Sequence, residues 1–349
     1  MTDSAKNKLT ITIVGIAVVI AAVGAAFYAH NHNSAVPVGE TNASAEVTEP
    51  QPTFEHIDDP ESESPTAERL VYYNGARYRY REDIDTLLII GTDEYELPED
   101  NEELRCNIQA DLILVVVFDN TNQVYNIVQI NRDTVTGIKR YDVLGQYAGI
   151  VDLQIALSHS YGTGGLDSCR DTEFAVSRLL YDTEIDNVMS VTMGAVPVLN
   201  DLVGGVDVMV EDNFRGVDDT LVMGQMVHLE GQHALTFVRA RSSMLDDNTN
   251  LNRMHRQRVY MVALMEALGT CLEEDPDFAV NSFSEMSDYI ESDISTDEFE
   301  EYAQRFVDYR QGDILVPEGE TTSDGRYIEF HVDDDALQQL IIDTFYEPA

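Results

Sequence analysis

Hydrophobic and polar positions divide the chain into three stretches of different character. From Leu9 to Ala29 the sequence LTITIVGIAVVIAAVGAAFYA carries no charge, and its length matches the ~20 apolar residues a helix needs to cross a bilayer core. Residues 30–66 show almost no periodic apolar pattern and are rich in Glu, Asp, Pro, Ser, Thr and Asn. Such a stretch buries too little to fold alone and reads as a disordered acidic stalk. Residues 67–349 regain a regular pattern and are expected to form one folded domain.

Within that domain, Asn74-Gly75 interrupts the aromatic, alternating run LVYYNGARYRYRED, the signature of a two-residue hairpin turn. Three apolar runs follow, IDTLLIIGTD (84–93), DLILVVVFD (111–119) and VYNIVQINRDT (124–134); their continuity suits central strands buried on both faces. Helical spacing is expected over 152–161, 171–182 and 194–203, with a strand at VDVMV (206–210). ALTFVRA (234–240) reads as a strand or a helix-to-strand junction. Leu251, Met254, Met261, Met265 and Leu268 fall on one stripe of a helix over 252–271. The tail reads as two or three acidic amphipathic helices around the strand YIEFHV. Alternating strands and helices predict an α/β fold with helices on both faces of a mixed sheet.

Charge changes this picture in two ways. The formal net charge of −43, from 64 acidic against 21 basic residues, argues against attraction to nucleic acid or to anionic headgroups. Lys6 and Lys8 precede the apolar segment, and no Lys or Arg follows it until Arg69. The positive-inside rule then places residues 1–8 in the cytoplasm, residues 9–29 across the cell membrane as a single-pass anchor, and the rest outside. A cleaved signal peptide is the competing reading, since small residues sit near the end of the run, which nonetheless exceeds the ~7–15 residues of a signal core. Cys106, Cys169 and Cys271 allow at most one disulfide; Cys169 with Cys271 is the favoured pair, against three buried thiols.

The charge pattern also inverts locally. Between Gln232 and Tyr260 lie Arg239, Arg241, Arg253, Arg256 and Arg258 against only Asp246 and Asp247. An anion site is one reading, because the planar guanidinium offers paired donors to phosphate oxygens. A salt-bridged network serving an acidic protein is the other. Arg239 and Arg241 share a face if their segment is extended, and Arg253 and Gln257 share one on a helix. Asp93 and Asp111 stand at facing ends of two apolar runs, where carboxylates can hold a hard cation or simply cap turns. Arg132, in Asn131-Arg132-Asp133-Thr134, closes the third run. No nucleophile elbow or Walker loop is present. His159, His233 and His255 are open as acid/base groups, and the glycines of SYGTGG read as a phosphate cradle or as a cap and turn.

In order along the chain, LLIIGTD, ADLILVVVFD, INRDT, IALSHSYGTGG, LVGGVDVMV, LEGQHALTFVRAR and NRMHRQR resemble the LytR-CpsA-Psr family of bacterial cell-envelope proteins. The resemblance spans about residues 72–346. It implies a three-layer αβα sandwich with a central mixed sheet and an apolar tunnel for a polyprenyl chain, preceded by one transmembrane helix. It also implies that Asp93 and Asp111 hold Mg2+, with Mn2+ as a substitute. Arg132, Arg239, Arg241, Arg253 and Gln257 would contact a pyrophosphate, and Asp93, Asp111 and Arg241 would be catalytic. The implied activity is a Mg-dependent phosphotransferase moving a glycopolymer, as glycosyl phosphate, from polyprenyl pyrophosphate to peptidoglycan. A polyprenyl-pyrophosphate pyrophosphatase and a non-catalytic polyprenyl-phosphate carrier or attenuator-type sensor are the alternatives. The family usually has an arginine two positions before the second aspartate; here that position is Gln109, with Arg105 nearby as a substitute.

Overall fold

The computed structural model describes residues 55–57, 70–94, 108–162, 164–240, 250–275, 285–295, 308–323 and 327–349, with single positions between 278 and 306. The expected membrane segment, most of the stalk, Arg105 and Cys106 lie outside the described residues. Among the described residues, no helix is long and apolar enough to cross a membrane.

The chain opens with β1 (Glu55–Ile57), β2 (Leu70–Tyr73) and β3 (Ala76–Tyr80), followed by β4 (Ile84–Thr92), β5 (Ala110–Asp119) and β6 (Val124–Ile130). A hairpin of β7 (Val135–Tyr141) and β8 (Tyr147–Gln154), the short α1 (Leu157–Ser160) and the helix α2 (Gly165–Leu179) come next. Then follow β9 (Asn187–Thr192), α3 (Ala195–Leu202), the ribbon β10 (Val206–Met209) and β11 (Met226–Leu229), α4 (Gln232–Arg239) and the long α5 (Asn250–Glu274). The remaining named elements are β12 (Ile290–Ser292), β13 (Arg310–Leu315), the hairpin β14 (Gly319–Ser323) and β15 (Ile328–Val332), α6 (Asp334–Phe345) and β16 (Tyr346–Pro348).

Six strands form the central sheet in the order β12-β9-β4-β5-β6-β13. It is mixed, since β9 runs parallel to β4 and β13 parallel to β6, while the other neighbours are antiparallel. Side chains alternate across it with period two. Leu87, Ile89, Leu114, Val116 and Ile127 pack on one face with residues of α3, α4 and α5. Leu88, Ile90, Ile113, Val115 and Val128 pack on the other with residues of α2 and α6. Both faces are covered, which is why the strand sequences read as unbroken apolar runs. Burying each such side chain contributes about 1.5–3 kcal/mol.

The hairpin turn expected at Asn74-Gly75 is present. Asn74 and Gly75 have φ of 48° and 76°, the pair of left-handed residues that lets a two-residue turn join β2 to β3. Asp333 caps α6 by accepting from the Ala336 N–H at 3.0 Å, which satisfies a donor the helix itself cannot.

Five expectations change. The helix expected over 152–161 is shorter than expected: residues 152–154 are the end of β8, whose backbone is committed to the ladder with β7, and only Leu157–Ser160 are helical. The helix expected from residue 171 starts at Gly165, because Gly164 and Gly165, with φ of 99° and 55°, turn the chain into it. The glycines of SYGTGG therefore act at this turn. ALTFVRA is helical up to Arg239, its buried Ala234, Leu235, Phe237 and Val238 following a helical spacing; only Ala240 is extended. Within the segment read as stalk, β1 pairs antiparallel with β2, since an edge strand gains its order from backbone hydrogen bonds and needs no core of its own. Finally, no disulfide joins Cys169 to Cys271. Cys169 belongs to the core on the α2 face, whereas Cys271 lies on α5, across the sheet.

Candidate active site

The site begins with an irregularity in the sheet. Along β4 and β5, Gly91 pairs with Leu112 but Thr92 pairs with Ala110, so Asp111 is an extra residue, a β-bulge. Bulges re-aim side chains; here both Asp111 and Leu112 border the same cavity. The strands also approach closely next to the bulge: a Cβ added at Gly91 would lie 2.8 Å from the Leu112 Cβ. Just beyond it, Gln109 and Asp93 bind each other, the Gln109 N–H donating to Asp93 Oδ1 at 2.8 Å and the Asp93 N–H to the Gln109 carbonyl at 3.2 Å.

Asp111 is buried, and two buried guanidiniums close on it. Arg253 of α5 donates from Nη1 to Oδ2 at 2.9 Å, and Arg132, just past β6, pairs through Nη1 with Oδ1. Nη2 of Arg132 donates to Gln109 Oε1, and its Nε stands 3.6 Å from Asp133 Oδ1. Desolvating two cations and a carboxylate costs several kcal/mol per ion in a protein interior, so such a cluster is a weak stability device. Its cost points instead to a functional role.

One turn along α5 from Arg253, Gln257 is also buried, and its Oε1 has no hydrogen-bond partner among the described residues. Gln257 and Asp111 border a cavity of about 110 Å3 whose other walls include Leu112, Val191, Ala195, Leu199, Tyr260 and Leu264. Asp111, the carboxylate shared by the two arginines, therefore stands in the wall of an apolar chamber between the sheet and helices α3, α4 and α5. That arrangement suits an amphiphile with an anionic head.

The comparisons with known proteins bear on this arrangement. The family model described as LytR_cpsA_psr matches residues 51–341. The chain belongs to the LytR-CpsA-Psr family. No curated protein matches its sequence. Among solved structures, gbs0355 from Streptococcus agalactiae is similar at a TM-score of 0.58 with 17% identity, covering 75% of this chain and 88% of that one. TagT bound to LI-WTA is similar at 0.55 with 17% identity, covering 75% and 90%. TagV from B. subtilis is similar at 0.54 with 20% identity, covering 76% and 98%. At these identities the three matches establish a shared fold.

The remaining residues singled out in this LytR-CpsA-Psr chain are placed as follows. Asp93, Asp111, Arg132, Arg253 and Gln257 belong to the neighbourhood just described. Arg239 is exposed at the last turn of α4, and Arg241 lies outside the described residues. Arg256 serves the scaffold: its Nε donates to the Phe237 carbonyl at 3.1 Å, it also reaches the Ala240 carbonyl, and it pairs with Asp212. It thereby ties the C-terminal end of α4, and so Arg239, to α5. Arg258 donates to Gln129 at 2.9 Å, and burial lowers its pKa.

The histidines separate clearly. His159 is buried, and burial pushes its pKa down to about 4, with an opposing influence from Asp93, so at neutral pH it is uncharged. His233 stands 3.4 Å from Asp218 and His255 2.7 Å from Glu211. Sequence reasoning missed the bulge at Asp111, the close approach at Gly91 and the cavity walls. Gly91 was the one signal available, a glycine inside a strand pattern, which often marks a bulge or a close approach.

For a divalent ion, the carboxylates on offer are Asp93 and Asp111, and among the described residues no cluster of three or more metal-ligating acidic, histidine or cysteine side chains forms. Two hard oxygen ligands fit magnesium, which usually keeps several waters and takes phosphate oxygens to complete its shell. Zinc would ask for a fuller set of protein ligands.

Proposed function

We propose that this protein transfers a glycopolymer, as glycosyl phosphate, from a polyprenyl pyrophosphate donor to a hydroxyl of peptidoglycan, outside a membrane to which residues 9–29 anchor it. The observation that carries this reading is the buried Asp111–Arg132–Arg253 cluster, whose Asp111 lines an apolar cavity together with Gln257. The prenyl chain would enter that cavity, leaving the pyrophosphate against Arg132, Arg253 and Gln257, with Arg239 and Arg241 on the approach. Membership of the LytR-CpsA-Psr family supports the same assignment, as does a shared fold with TagT bound to LI-WTA.

In the proposed reaction the acceptor oxygen bonds to the phosphorus that carries the glycan, and the bond from that phosphorus to the bridging oxygen breaks. Polyprenyl phosphate leaves, the acceptor proton passes to a base, and a phosphodiester remains. Negative charge spreads over the transferred group and the leaving phosphate, where fixed guanidiniums stabilise it most. Arg132 and Arg253 would exchange part of their contact with Asp111 for phosphate oxygens. Asp93 and Asp111 would hold Mg2+, which when bound supplies further charge neutralisation at the diphosphate. His159 is buried and neutral, so it adds no positive charge to the site.

The test uses the purified full-length chain with polyprenyl-pyrophosphoryl sugar, peptidoglycan and magnesium. The expected product is glycan joined to peptidoglycan through a phosphodiester. Release of free sugar phosphate would replace this reading with a pyrophosphatase, and binding without turnover would replace it with a lipid-phosphate carrier.

A further inference from the structure

Gln109 touches both halves of the ionic cluster, and it does so as a neutral group. Through its backbone it holds Asp93, donating to Oδ1 at 2.8 Å and accepting from the Asp93 N–H at 3.2 Å. Through its side chain it accepts from Arg132 Nη2. The rest of that guanidinium faces carboxylates, Nη1 pairing with Asp111 and Nε lying 3.6 Å from Asp133 Oδ1. Gln109 thus joins a carboxylate at the end of β4 to a cation at the end of β6, two strands apart in the sheet. It also directly precedes Ala110 and the bulge at Asp111.

The chemistry of an amide oxygen matters at this point. A planar guanidinium is aimed by whatever fills its fork. Asp111 and Asp133 aim Arg132 but also offset its charge. A third carboxylate would turn the cation's surroundings anionic, a cationic side chain would repel it, and an apolar one would leave Nη2 without its acceptor. An amide oxygen orients the guanidinium and leaves its charge available to another anion.

We infer that Gln109 is a positioning residue, which aims Arg132 at the diphosphate of the donor without quenching it and keeps it in register with Asp93. This rests on the reading of Arg132 as a pyrophosphate contact. It gives Gln109 a role that differs from direct phosphate binding, since its side-chain oxygen is already committed to the arginine.

The experiment compares the full-length chain with Gln109→Met and Gln109→Glu, measuring the Kd for inorganic pyrophosphate with magnesium by calorimetry, kcat and KM for the donor, and the melting temperature. Gln109→Glu retains the acceptor but adds charge, and is expected to weaken pyrophosphate binding and raise KM by about tenfold, because it removes attraction present in ground and transition states alike. Gln109→Met removes the acceptor but adds no charge, and is expected to lower kcat by about tenfold with a smaller change in Kd, because it misaligns a cation needed as charge moves. Variants that bind and turn over like the parent would overturn the inference. So would equal losses in both variants that follow a fall in melting temperature, the mark of a purely structural residue. A parent chain that does not bind pyrophosphate would take down the Arg132 reading and this one together; a parent that binds with both variants unaffected removes only the role of Gln109.

Discussion

The two faces of the central sheet are built from the same strands and have been put to different uses. On the α2 and α6 face, Leu88, Ile90, Ile113, Val115 and Val128 meet Val176, Leu337, Ile341 and Phe345 in an aliphatic and aromatic layer. On the α3, α4 and α5 face the same strands meet a chamber of about 110 Å3, with buried Asp111, the shared partner of Arg132 and Arg253, in its wall. A void forfeits dispersion contacts, and buried ions cost desolvation. One face therefore supplies stability that the other spends on a site. A difference of this kind within one domain is what a ligand-binding enzyme is expected to carry.

The largest effect should come from breaking the ionic cluster. Asp111→Ala leaves two buried guanidiniums without their shared carboxylate, and breaking a buried pair in this way costs about 3–5 kcal/mol. Urea unfolding would measure the loss. Transfer activity is expected to disappear as well; Asp111→Asn, of nearly the same shape, should retain more stability while still losing activity. An Asp111→Asn chain that turns over at the parental rate would remove this carboxylate from the proposed chemistry.

Matched truncations on the two faces test the comparison directly. Ile341→Ala opens a cavity in a packed layer and is expected to cost about 2–5 kcal/mol, with donor KM unchanged. Leu264→Ala enlarges a chamber that already exists. Its cost should lie nearer the transfer term of about 2 kcal/mol, while KM for a long-chain donor rises. Equal stability losses, with equal KM values, would erase the distinction between the faces.

Much of this division was legible in the sequence, but not where it matters most. Unbroken runs such as LLII and LILVVV announce strands buried on both sides, yet a run of Leu and Ile does not say which face is solid and which is hollow. Arg132, Arg253 and Asp111 were found because charge is scarce in apolar surroundings and because arginines cluster against the acidic background. The end of β8 was hidden, since Leu153, which packs on the α2 core, also falls at helical spacing from Ala156 and Leu157. The bulge was hidden for a different reason: a shift in pairing register is a relation between two strands, and neither strand's own pattern records it. Gln257 was marked by its spacing from Arg253 on a helix and by the family resemblance, whereas the cavity walls Leu199 and Leu264 are ordinary core residues by type.

A pH-dependent effect is expected from His159. Its pKa falls from 6.5 to about 4 through burial, so between these values the unfolded chain takes up a proton that the folded chain refuses. Stability is accordingly flat in this respect above pH 6.5 and declines as pH drops toward 4, by about 3 kcal/mol at full extent. His159→Gln should flatten that part of the pH–stability curve. A slope unchanged by the substitution would mean that another group governs acid sensitivity.

A modest change in stability, and the most informative about how the two faces came to differ, is expected from Gly91→Ala. The added methyl would sit 2.8 Å from the Leu112 Cβ, and relieving a contact that short by moving backbone costs about 1–3 kcal/mol. Leu112 is the neighbour of the bulged Asp111, so the displacement falls on the one residue whose aim creates the site. Activity should therefore drop well beyond what the loss of stability explains, whereas Ile341→Ala, of equal or greater structural cost, should leave kcat near the parental value. Measured together at a temperature where both variants are folded, the pair separates two functions of β4 and β5. One is to fill a core, which tolerates a shift of a few tenths of an ångström; the other is to hold Asp111 between Arg132 and Arg253, which does not.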